Sequence, residues 1–446
     1  MSDPRIDLIR RLARRSSLPA LQRTLEKSRS EDIAEAIKHL TPDLRLVVWE
    51  NVIDDPEKLS EILSNLDGNE LTGLIQRLNS NHIVHLLHLM EVDDQADLLQ
   101  ALPETLRNNL LEQIQESERT QVEDLLAYPE DSAGGLMHID VFRMPENATC
   151  REAITKLQEL ENVEMVFYIY VENAFSQLVG VLSMRSLLTH SPSKPLSEIM
   201  STDLIVADPA QSQEDVATMV SRYDLLAIPV VDSDRSLLGI ITVDDIVDVI
   251  QDMHAKDVLL MAGLSEESNQ NRSVLNAFKQ RFTWLLVTLF GGIGMAELIN
   301  AFESTLEAQA VLAGFIPVML GTGGNVGIQA ATIAVRNIAT GHIDFEGMTP
   351  LIWRECRVGI LLGLSFALVL GGYCLLREQD ILLGLAVGSS IIITVITAAI
   401  LGLLVPIFMD RIGFDPAVAT GPFVTTGIDL VAILIYFSTC QLIMNI

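Results

Sequence analysis

The sequence is poor in basic residues and in cysteine. It has 30 Lys and Arg against 59 Asp and Glu in 446 residues, which gives a formal net charge of −29. Binding to a nucleic-acid backbone is not expected, because that binding depends on basic side chains that neutralise phosphates. The four scattered cysteines have no CxxC spacing and argue against a disulfide or zinc framework. The first residues lack the apolar core of a cleaved signal peptide, so no leader is expected.

The acidic residues are concentrated in the first part of the chain. Residues 1–270 carry 48 acidic and 22 basic side chains, whereas residues 271–446 carry 11 and 8. The length exceeds that of one compact core and predicts about three folding units. We therefore expect an acidic, soluble part whose charge favours cations as ligands, followed by a nearly neutral, apolar part.

The apolar part contains five stretches with little or no charge, at residues 282–302, 308–335, 358–376, 381–409 and 416–446. Each reaches the roughly 20 residues that a helix needs to cross a bilayer. Most basic residues around these stretches fall on one side of the membrane, at Arg272, Lys279, Arg281, Arg336, Arg354, Arg357 and Arg411, and Arg377 falls on the other. The positive-inside rule predicts a multi-pass protein of the cell (inner) membrane, with the acidic part cytoplasmic and the carboxyl terminus outside.

One carboxylate within these stretches is a candidate functional group. Asp429 is the only charged residue of the fifth stretch and falls near its middle. A carboxylate at that depth is costly unless it faces water or a cation. The alternative is a protonated Asp429 that forms a hydrogen bond to a neighbouring helix.

Two segments near this carboxylate predict irregular or closely packed helices. GTGGNVGIQ (321–329) has four glycines and no charge, which fits either close helix contacts or carbonyls and an amide along a wet path. ATGPFVTT (419–426) contains Pro422, which cannot donate a helical hydrogen bond. Carbonyls freed near Gly421 would lie a few residues before Asp429.

The soluble part predicts two kinds of domain. Its first helices have apolar residues at three- and four-residue spacing, and HLTPDLRLVVWE (39–50) resembles ALPETLRNNLLE (101–112), as in a helical superhelix. A strand–helix–strand–strand–helix order then occurs twice. The predicted fold class is a multidomain membrane protein with an α-helical superhelical N domain, an α/β pair and an all-α transmembrane domain with five helices. The predicted boundaries are 1–128, 129–195, 196–250, a connecting helix at 251–275, and 276–446.

Several motifs resemble one family. AIPVVDSDRSLLGIITVDDIVDVI resembles the second half of a CBS-domain pair. The MgtE family of magnesium channels has regions similar to EVDDQADLLQALP (91–103), YPEDSAGGLM (128–137), PVMLGTGGNVGIQAATIAVR (317–336) and DPAVATGPFVTTGIDL (415–430). The resemblance covers nearly the whole chain in the family's domain order. It implies a homodimeric Mg2+ channel of the membrane without enzymatic activity.

The predicted pore site follows from the chemistry of Mg2+. This ion demands octahedral oxygen coordination and gives up water reluctantly, so its site needs carboxylates and carbonyls with room for water. Asp429 is the predicted ligand, Thr425 and Gly421 offer oxygens in the preceding turns, and Asn325 could orient a bound water. Two chains about a two-fold axis would pair their Asp429 carboxylates. The resemblance implies the same role for Asp429 and places Asp415 near the cytoplasmic mouth.

Acidic side chains also cluster in the soluble part. Asp93 and Asp97 share one helical face, and a second group surrounds the last α/β segment. A solvated charged surface would account for both groups. The resemblance implies instead that cytosolic Mg2+ bridges the helical domain, the CBS pair and the connecting helix and closes the pore. The candidate sensor ligands are Asp93, Asp94, Asp97, Glu214, Asp224, Asp245, Asp248, Asp252 and Asp257.

Two details concern regulation. Met253 and Lys256 stand where the family's connecting helix usually has carboxylates, which predicts weaker magnesium-dependent closure. Thr242 and Asp245 have the spacing with which CBS modules hold a nucleotide, so ATP is a candidate regulatory ligand. The alternative is an ordinary charged corner between a strand and a helix.

Other function classes fit less well. A coupled transporter for Mg2+ or another divalent cation such as Co2+ is the alternative hypothesis, although Asp429 has no partner in its span for a proton relay. The stretches have neither the facing carboxylates nor the HExxH motif of an intramembrane protease. An anion channel conflicts with the acidic soluble part and the intramembrane carboxylate.

Overall fold

The structure, a computed structural model, describes residues 4–14, 18–52, 55–66, 68–75, 78, 80–159, 167–264, 274–339 and 348–446. The chain divides into two compact units, Met1–Gln251 and Asp252–Ile446. Arg272 and residues 265–273 of the predicted connecting segment lie outside the described residues. The predicted domain boundaries within the two units stay predictions.

The first unit begins with short helices that form a superhelix. Each of several helices contacts the helix two places further along the chain, which is the arrangement of a stacked helical array. Proline is the first residue of three of them, and the Asp55 carboxylate caps one by accepting a hydrogen bond from the Lys58 N–H. The helices are Pro4–Arg14, Leu18–Lys27, Ser30–Lys38, Pro42–Glu50, Pro56–Ser64, Gly68–Ile75, Ser80–Leu87, Val92–Gln100, Glu104–Leu111 and Glu116–Leu126.

The rest of the first unit is a duplicated α/β module, as predicted. In the first copy, strand β1 (Arg143–Pro145) is parallel to β2 (Tyr168–Glu172), which pairs antiparallel with β3 (Leu178–Ser183). In the second copy, β4 (Ala227–Val231) and β5 (Leu237–Thr242) pair antiparallel, and a parallel bridge at Ala207 takes the place of β1. The helices are Ala133–Leu136, Cys150–Glu159, Met184–Thr189, Gln213–Tyr223 and Val243–Met261, with a 3-10 turn at Leu196–Glu198.

Among the described residues of the second unit, five helices are long and apolar enough to cross a membrane. In chain order, membrane helices 1 to 5 are Val274–Ala301, Ile316–Ala339, Met348–Glu378, Ile381–Arg411 and Pro422–Met444, with shorter helices at Glu303–Ala308, Ala310–Phe315 and Pro416–Ala419. The third begins before the predicted 358, because polar residues extend it as a regular helix. The fifth begins at Pro422 rather than at 416, because the chain breaks at Gly421.

Membrane helix 4 is the centre of this unit. It packs against membrane helices 2, 3 and 5, and its buried face consists largely of small residues and β-branched apolar residues. Membrane helix 1 contacts membrane helix 5, and large apolar side chains such as Leu285 and Phe290 are exposed on it. An apolar surface of this extent is typical of contact with lipid or with another membrane-embedded chain.

Candidate cation sites

Asp429 lies in the middle of membrane helix 5 with a partly exposed side chain. Among the described residues, no hydrogen-bond donor or cationic side chain contacts its carboxylate. The hydrogen bond to a neighbouring helix that the sequence left open is therefore absent from this part of the chain. An unpartnered carboxylate in an apolar helix requires water or a cation.

Gly324 of membrane helix 2 lies opposite this carboxylate and has no side chain to fill the space beside it. A Cβ atom on Gly324 would lie 3.5 Å from Oδ1 of Asp429 and near no other atom within 4 Å. The neighbouring Gly323 and Gly327 instead face apolar atoms of Thr394 and Ile428. Gly324 is thus a site residue that the sequence did not single out, because the register between two helices is a tertiary property.

The glycine-rich segment 321–329 lies inside one continuous helix. The expectation of exposed carbonyls in this segment is wrong, since the helical backbone uses those carbonyls. The alternative, close helix packing, is what the structure shows. Asn325 is exposed on this helix, directly after Gly324.

The break before membrane helix 5 places the other predicted pore residues. The Gly421 carbonyl accepts hydrogen bonds from the Thr425 N–H and hydroxyl, at 3.3 Å each. The sequence predicted a free carbonyl at this position, and the structure shows a bonded one. The Thr425 hydroxyl also lies 3.2 Å from the Pro422 carbonyl. Asp415 is exposed and caps the helix Pro416–Ala419 through a 2.8 Å bond from the Ala417 N–H.

The end of the connecting helix contacts this break. Gly263, at φ +72°, ends the helix, and the Leu264 and Gly263 N–H groups bond to the Leu259 and Leu260 carbonyls. A Cβ atom on Gly263 would lie 3.5 Å from Cδ of Pro422. The structure thereby joins the predicted connecting helix to the start of membrane helix 5.

Asp257 is an acidic group of the same helix within the second unit. Burial and the nearby Asp415 carboxylate both raise its pKa, and His254 and Lys256 oppose that rise. A cation beside Asp257 would relieve its repulsion from the Asp415 carboxylate. Asp252 is exposed on the same helix.

In the first unit, one histidine joins carboxylates from distant parts of the chain. His138 Nδ1 lies 2.9 Å from Asp93 Oδ2 and 3.3 Å from Glu91 Oε2. On the other side of the ring, Nε2 lies 2.8 Å from Asp245 Oδ2. Sequence reasoning found Asp93 and Asp245 but missed Glu91 and His138. A lone histidine after YPEDSAGGLM, in a strongly acidic unit, was the available signal.

Electrostatics in this cluster follow the same contacts. Burial opposes the charged form of His138, but the hydrogen bonds that its ring N–H groups donate to Asp245, Asp93 and Glu91 outweigh this and raise its pKa. The bond to His138 lowers the pKa of Glu91. Burial works against the charge of Asp245, yet His138 and Thr242 hold its pKa below the ordinary value.

The neighbouring Asp94 and Asp97 behave in the opposite way. Desolvation raises the pKa of Asp94 to about 6, although Ser64 donates a hydrogen bond that lowers it. Desolvation by burial is the main cause that raises the pKa of Asp97 to about 7, and the charges of Asp93, Asp94 and Glu130 add to this rise. A cation beside these carboxylates would relieve the repulsion.

The remaining predicted sensor residues are spread more widely. Glu214 lies in the first turn of the helix Gln213–Tyr223, and Asp224 ends it at φ 51°. They are about 15 Å apart along the helix axis, at 1.5 Å per residue, so they cannot bind one ion together. Asp248 is exposed on the next helix. The Thr242 hydroxyl donates a 2.7 Å hydrogen bond to Asp245, so the two candidate nucleotide residues contact each other.

Family models match three parts of the chain. One described as a divalent cation transporter matches residues 316–439, one described as the MgtE intracellular N domain matches 28–131, and a CBS domain matches 196–252. Two solved structures are similar to about half of this chain. A cytosolic domain of the Mg2+ channel MgtE in complex with ATP is 32% identical over 52% of this chain and 94% of that one, with a TM-score of 0.48. The soluble part of a magnesium transporter is 25% identical over 56% and 98%, also with a TM-score of 0.48.

Curated relatives match much more of the chain. The magnesium transporter MgtE of Bacillus subtilis is 35% identical over 346 residues, which is 77% of each chain. That of Thermus thermophilus is 31% identical over 442 residues, 96% of this chain and 98% of the relative. At this identity and coverage, and with the family models that match its parts, the chain belongs to the MgtE family.

Proposed function

We propose that this chain carries Mg2+ into the cytoplasm through its membrane unit, with Asp429 as the carboxylate that binds the hydrated ion. The observation that carries this proposal is the unpartnered Asp429 carboxylate opposite Gly324 at mid-helix. The names of the relatives, all magnesium transporters, support Mg2+ as the transported ion.

A pore site for Mg2+ must leave its water shell largely in place. Asp429 supplies the charge, the absent side chain of Gly324 leaves room for water, and the exposed amide of Asn325 and the Thr425 hydroxyl supply polar atoms. Two chains around a two-fold axis would bring two Asp429 carboxylates to one ion. The exposed apolar side chains of membrane helix 1 support such a homodimer in lipid.

Gating by cytosolic Mg2+ acts through the connecting helix in this proposal. Asp257 and Asp415 repel each other in the absence of a cation, and a bound Mg2+ would hold the helix end against Gly421. The sensor acids of the first unit, Asp93, Asp94, Asp97, Glu214, Asp224, Asp245 and Asp248, would bind further ions. Asp252 adds charge on the connecting helix, whereas Met253 and Lys256 weaken the Mg2+ response.

The acidic unit lies in the cytoplasm and the carboxyl terminus outside, as the distribution of basic residues indicates.

ATP binding at Thr242 and Asp245 is part of the proposal for regulation. Because Asp245 already bonds to Thr242 and His138, a nucleotide would have to share or displace these contacts. Calorimetric titration of ATP into wild type and Thr242→Ala tests it.

Flux in liposomes tests the transport proposal. Asp429→Asn keeps the shape but removes the charge, so Mg2+ flux should fall more than tenfold while the protein stays assembled. Glu297→Gln, at an exposed intramembrane position in membrane helix 1, is the matched control and should keep its flux. Normal flux in Asp429→Asn would contradict the site. Single-channel currents in wild type separate a channel from a coupled transporter, since a carrier gives none.

A further inference from the structure

The cluster around His138 contains a nitrogen donor that a magnesium site does not need. Mg2+ takes oxygen ligands in octahedral geometry, whereas imidazole suits Zn2+, Co2+, Ni2+ and other first-row transition metals. From this geometry we propose that Glu91, Asp93 and His138 form a binding site for a transition-metal dication in the cytosolic unit, with Asp245 orienting the imidazole.

The distances fit such an ion. Bonds of about 2.0 Å in tetrahedral geometry put two ligand atoms about 3.3 Å apart. His138 Nδ1 lies 2.9 Å from Asp93 Oδ2 and 3.3 Å from Glu91 Oε2. One ligand atom from each of these three residues lies within 4.8 Å of the others. The ion would replace the proton on Nδ1 with a small adjustment, and water would complete its coordination.

The surrounding hydrogen bonds hold the imidazole ready for a metal. Histidine ligands commonly donate their second ring N–H to a carboxylate, which fixes the tautomer and the ring orientation. His138 Nε2 lies 2.8 Å from Asp245 Oδ2, and the Thr242 hydroxyl donates to the same oxygen at 2.7 Å. The free lone pair is thereby directed to Nδ1, on the side of Glu91 and Asp93.

The backbone around the cluster is also fixed. His138 exchanges two backbone hydrogen bonds with Ile240 of β5, at 2.8 and 2.9 Å. Gly239 permits this approach, since a Cβ atom there would lie 2.5 Å from the His138 carbonyl oxygen. Glu91 and Asp93 are the N-cap and a first-turn residue of the helix Val92–Gln100. A metal would join the helical array to the α/β module by rigid elements on both sides.

The charges favour a dication over a proton. A protonated His138 faces the carboxylates of Glu91, Asp93 and Asp245, which leaves two negative charges uncompensated. A dication on neutral His138 leaves one. Metal binding should therefore compete with protons at Nδ1 and tighten as pH rises.

Titration of the full-length protein in detergent, freed of metal by a chelator, tests the site with Co2+ as the probe. The visible d–d absorption of Co2+ strengthens when the ion moves from water into a four-coordinate protein site, the His138→Ala variant identifies the nitrogen ligand, and Zn2+ and Mg2+ serve as competitors. We expect Zn2+ to displace Co2+ and Mg2+ to need at least about 100-fold higher concentration. Displacement by equal concentrations of Mg2+ would overturn the proposal.

Variants identify the ligands. His138→Ala should lose more than 100-fold in Co2+ affinity, and Asp245→Asn about 10- to 100-fold, as expected for an outer-sphere partner. The matched control is His88→Ala, which removes a histidine paired at 2.8 Å with one carboxylate, Glu118, and should bind Co2+ like wild type. If His138→Ala does not fold, Asp93→Asn, which keeps the side-chain volume, tests the same site, and its Co2+ affinity should fall as well. Unchanged affinity in a folded ligand variant would show an imidazolium bridge only.

This site deepens the regulation proposed above but is tested apart from transport. Because Co2+ could also bind in the pore, each titration is repeated in an Asp429→Asn background. The nitrogen-ligated signal must persist there and disappear with His138→Ala. Loss of flux with an intact Co2+ signal, or the reverse, shows which of the two proposals fails.

Discussion

The carbonyl oxygen of Met261 lies 3.1 Å from the position that a Cβ atom would take on Gly421. The end of the connecting helix and the start of membrane helix 5 thus touch through backbone, with no side chain between them. Such a contact cannot absorb an added methyl group without movement of one element. Within the second unit, it directly connects the connecting helix with the helix that carries Asp429.

Gly421→Ala should push the connecting helix away from this break. If that helix closes the pore, closure becomes harder, and the cytosolic Mg2+ concentration for half-inhibition of flux should rise several-fold. Gly427→Ala lies on the same helix, where an added Cβ would meet nothing within 4 Å. Liposome flux at graded internal Mg2+ measures both, and an equal response of the two variants would contradict the coupling.

Gly324→Ala should narrow the space beside Asp429. A methyl group 3.5 Å from Oδ1 displaces water that a hydrated ion needs, so we expect Mg2+ flux to fall about tenfold without loss of assembly. Gly321→Ala is the control on the same helix, because its Cβ would meet nothing within 4 Å. Equal flux in both variants would separate Gly324 from the pore.

Asp257→Asn removes one partner of the Asp257–Asp415 repulsion. The connecting helix should then seat without a cation, so that flux at low cytosolic Mg2+ falls and the Mg2+ response flattens. Asp244→Asn, at an exposed position in the first turn of the same helix, should leave the response intact. A steeper Mg2+ response in Asp257→Asn would refute this role.

The acidic cluster predicts a pH-dependent stability of the magnesium-free protein. The pKa values of Asp94 and Asp97 are raised to about 6 and about 7, above the unfolded value of about 3.9. The folded state therefore binds extra protons between about pH 4 and 7, and its stability falls as pH rises through this window. Asp93, Glu130 and Asp245 face Asp97 with like charge.

Thermal unfolding of the full-length protein checks this sign. The transition of the first unit should move up by several degrees from pH 8 to pH 5.5 without Mg2+. Asp94→Asn with Asp97→Asn should flatten the change, because neither group then titrates. Glu123→Gln is the control, since this exposed residue pairs with Arg119 away from the cluster. A downward shift on acidification would contradict the prediction.

The hydropathy of the long stretches and the spacing of apolar residues along the chain predicted most of the architecture. Five long apolar helices and a repeated α/β order depend on local pattern, and both are present. The predicted starts of membrane helices 3 and 5 were wrong, because hydropathy detects neither a polar extension of a helix nor a break at a glycine–proline step. For segment 321–329 the sequence left close packing and exposed carbonyls as alternatives, and the structure has a regular helix, because glycine is tolerated in a helix where neighbours come close.

The candidate sites show a similar division. Asp429 was visible because a charge in an apolar stretch is a local anomaly. Gly324 and His138 were not, since their importance lies in partners from other elements. His138 and Asp245 are 107 positions apart, and no periodicity links them. Several predicted sensor acids remain dispersed, because charge content alone does not fix which carboxylates meet.

Membrane helices 2 and 4 meet at a seam where Gly402 faces the backbone of Gly327, with no room for a Cβ atom. Sliding or tilting of one helix against the other would break this close contact, so we expect the two helices to move together as a rigid body. Ile428 of membrane helix 5 packs against the same Gly327, so this helix is seated on the seam as well. Its break at Gly421, where the end of the connecting helix lies, is then the place where we expect movement of the connecting helix to reach the helix that carries Asp429.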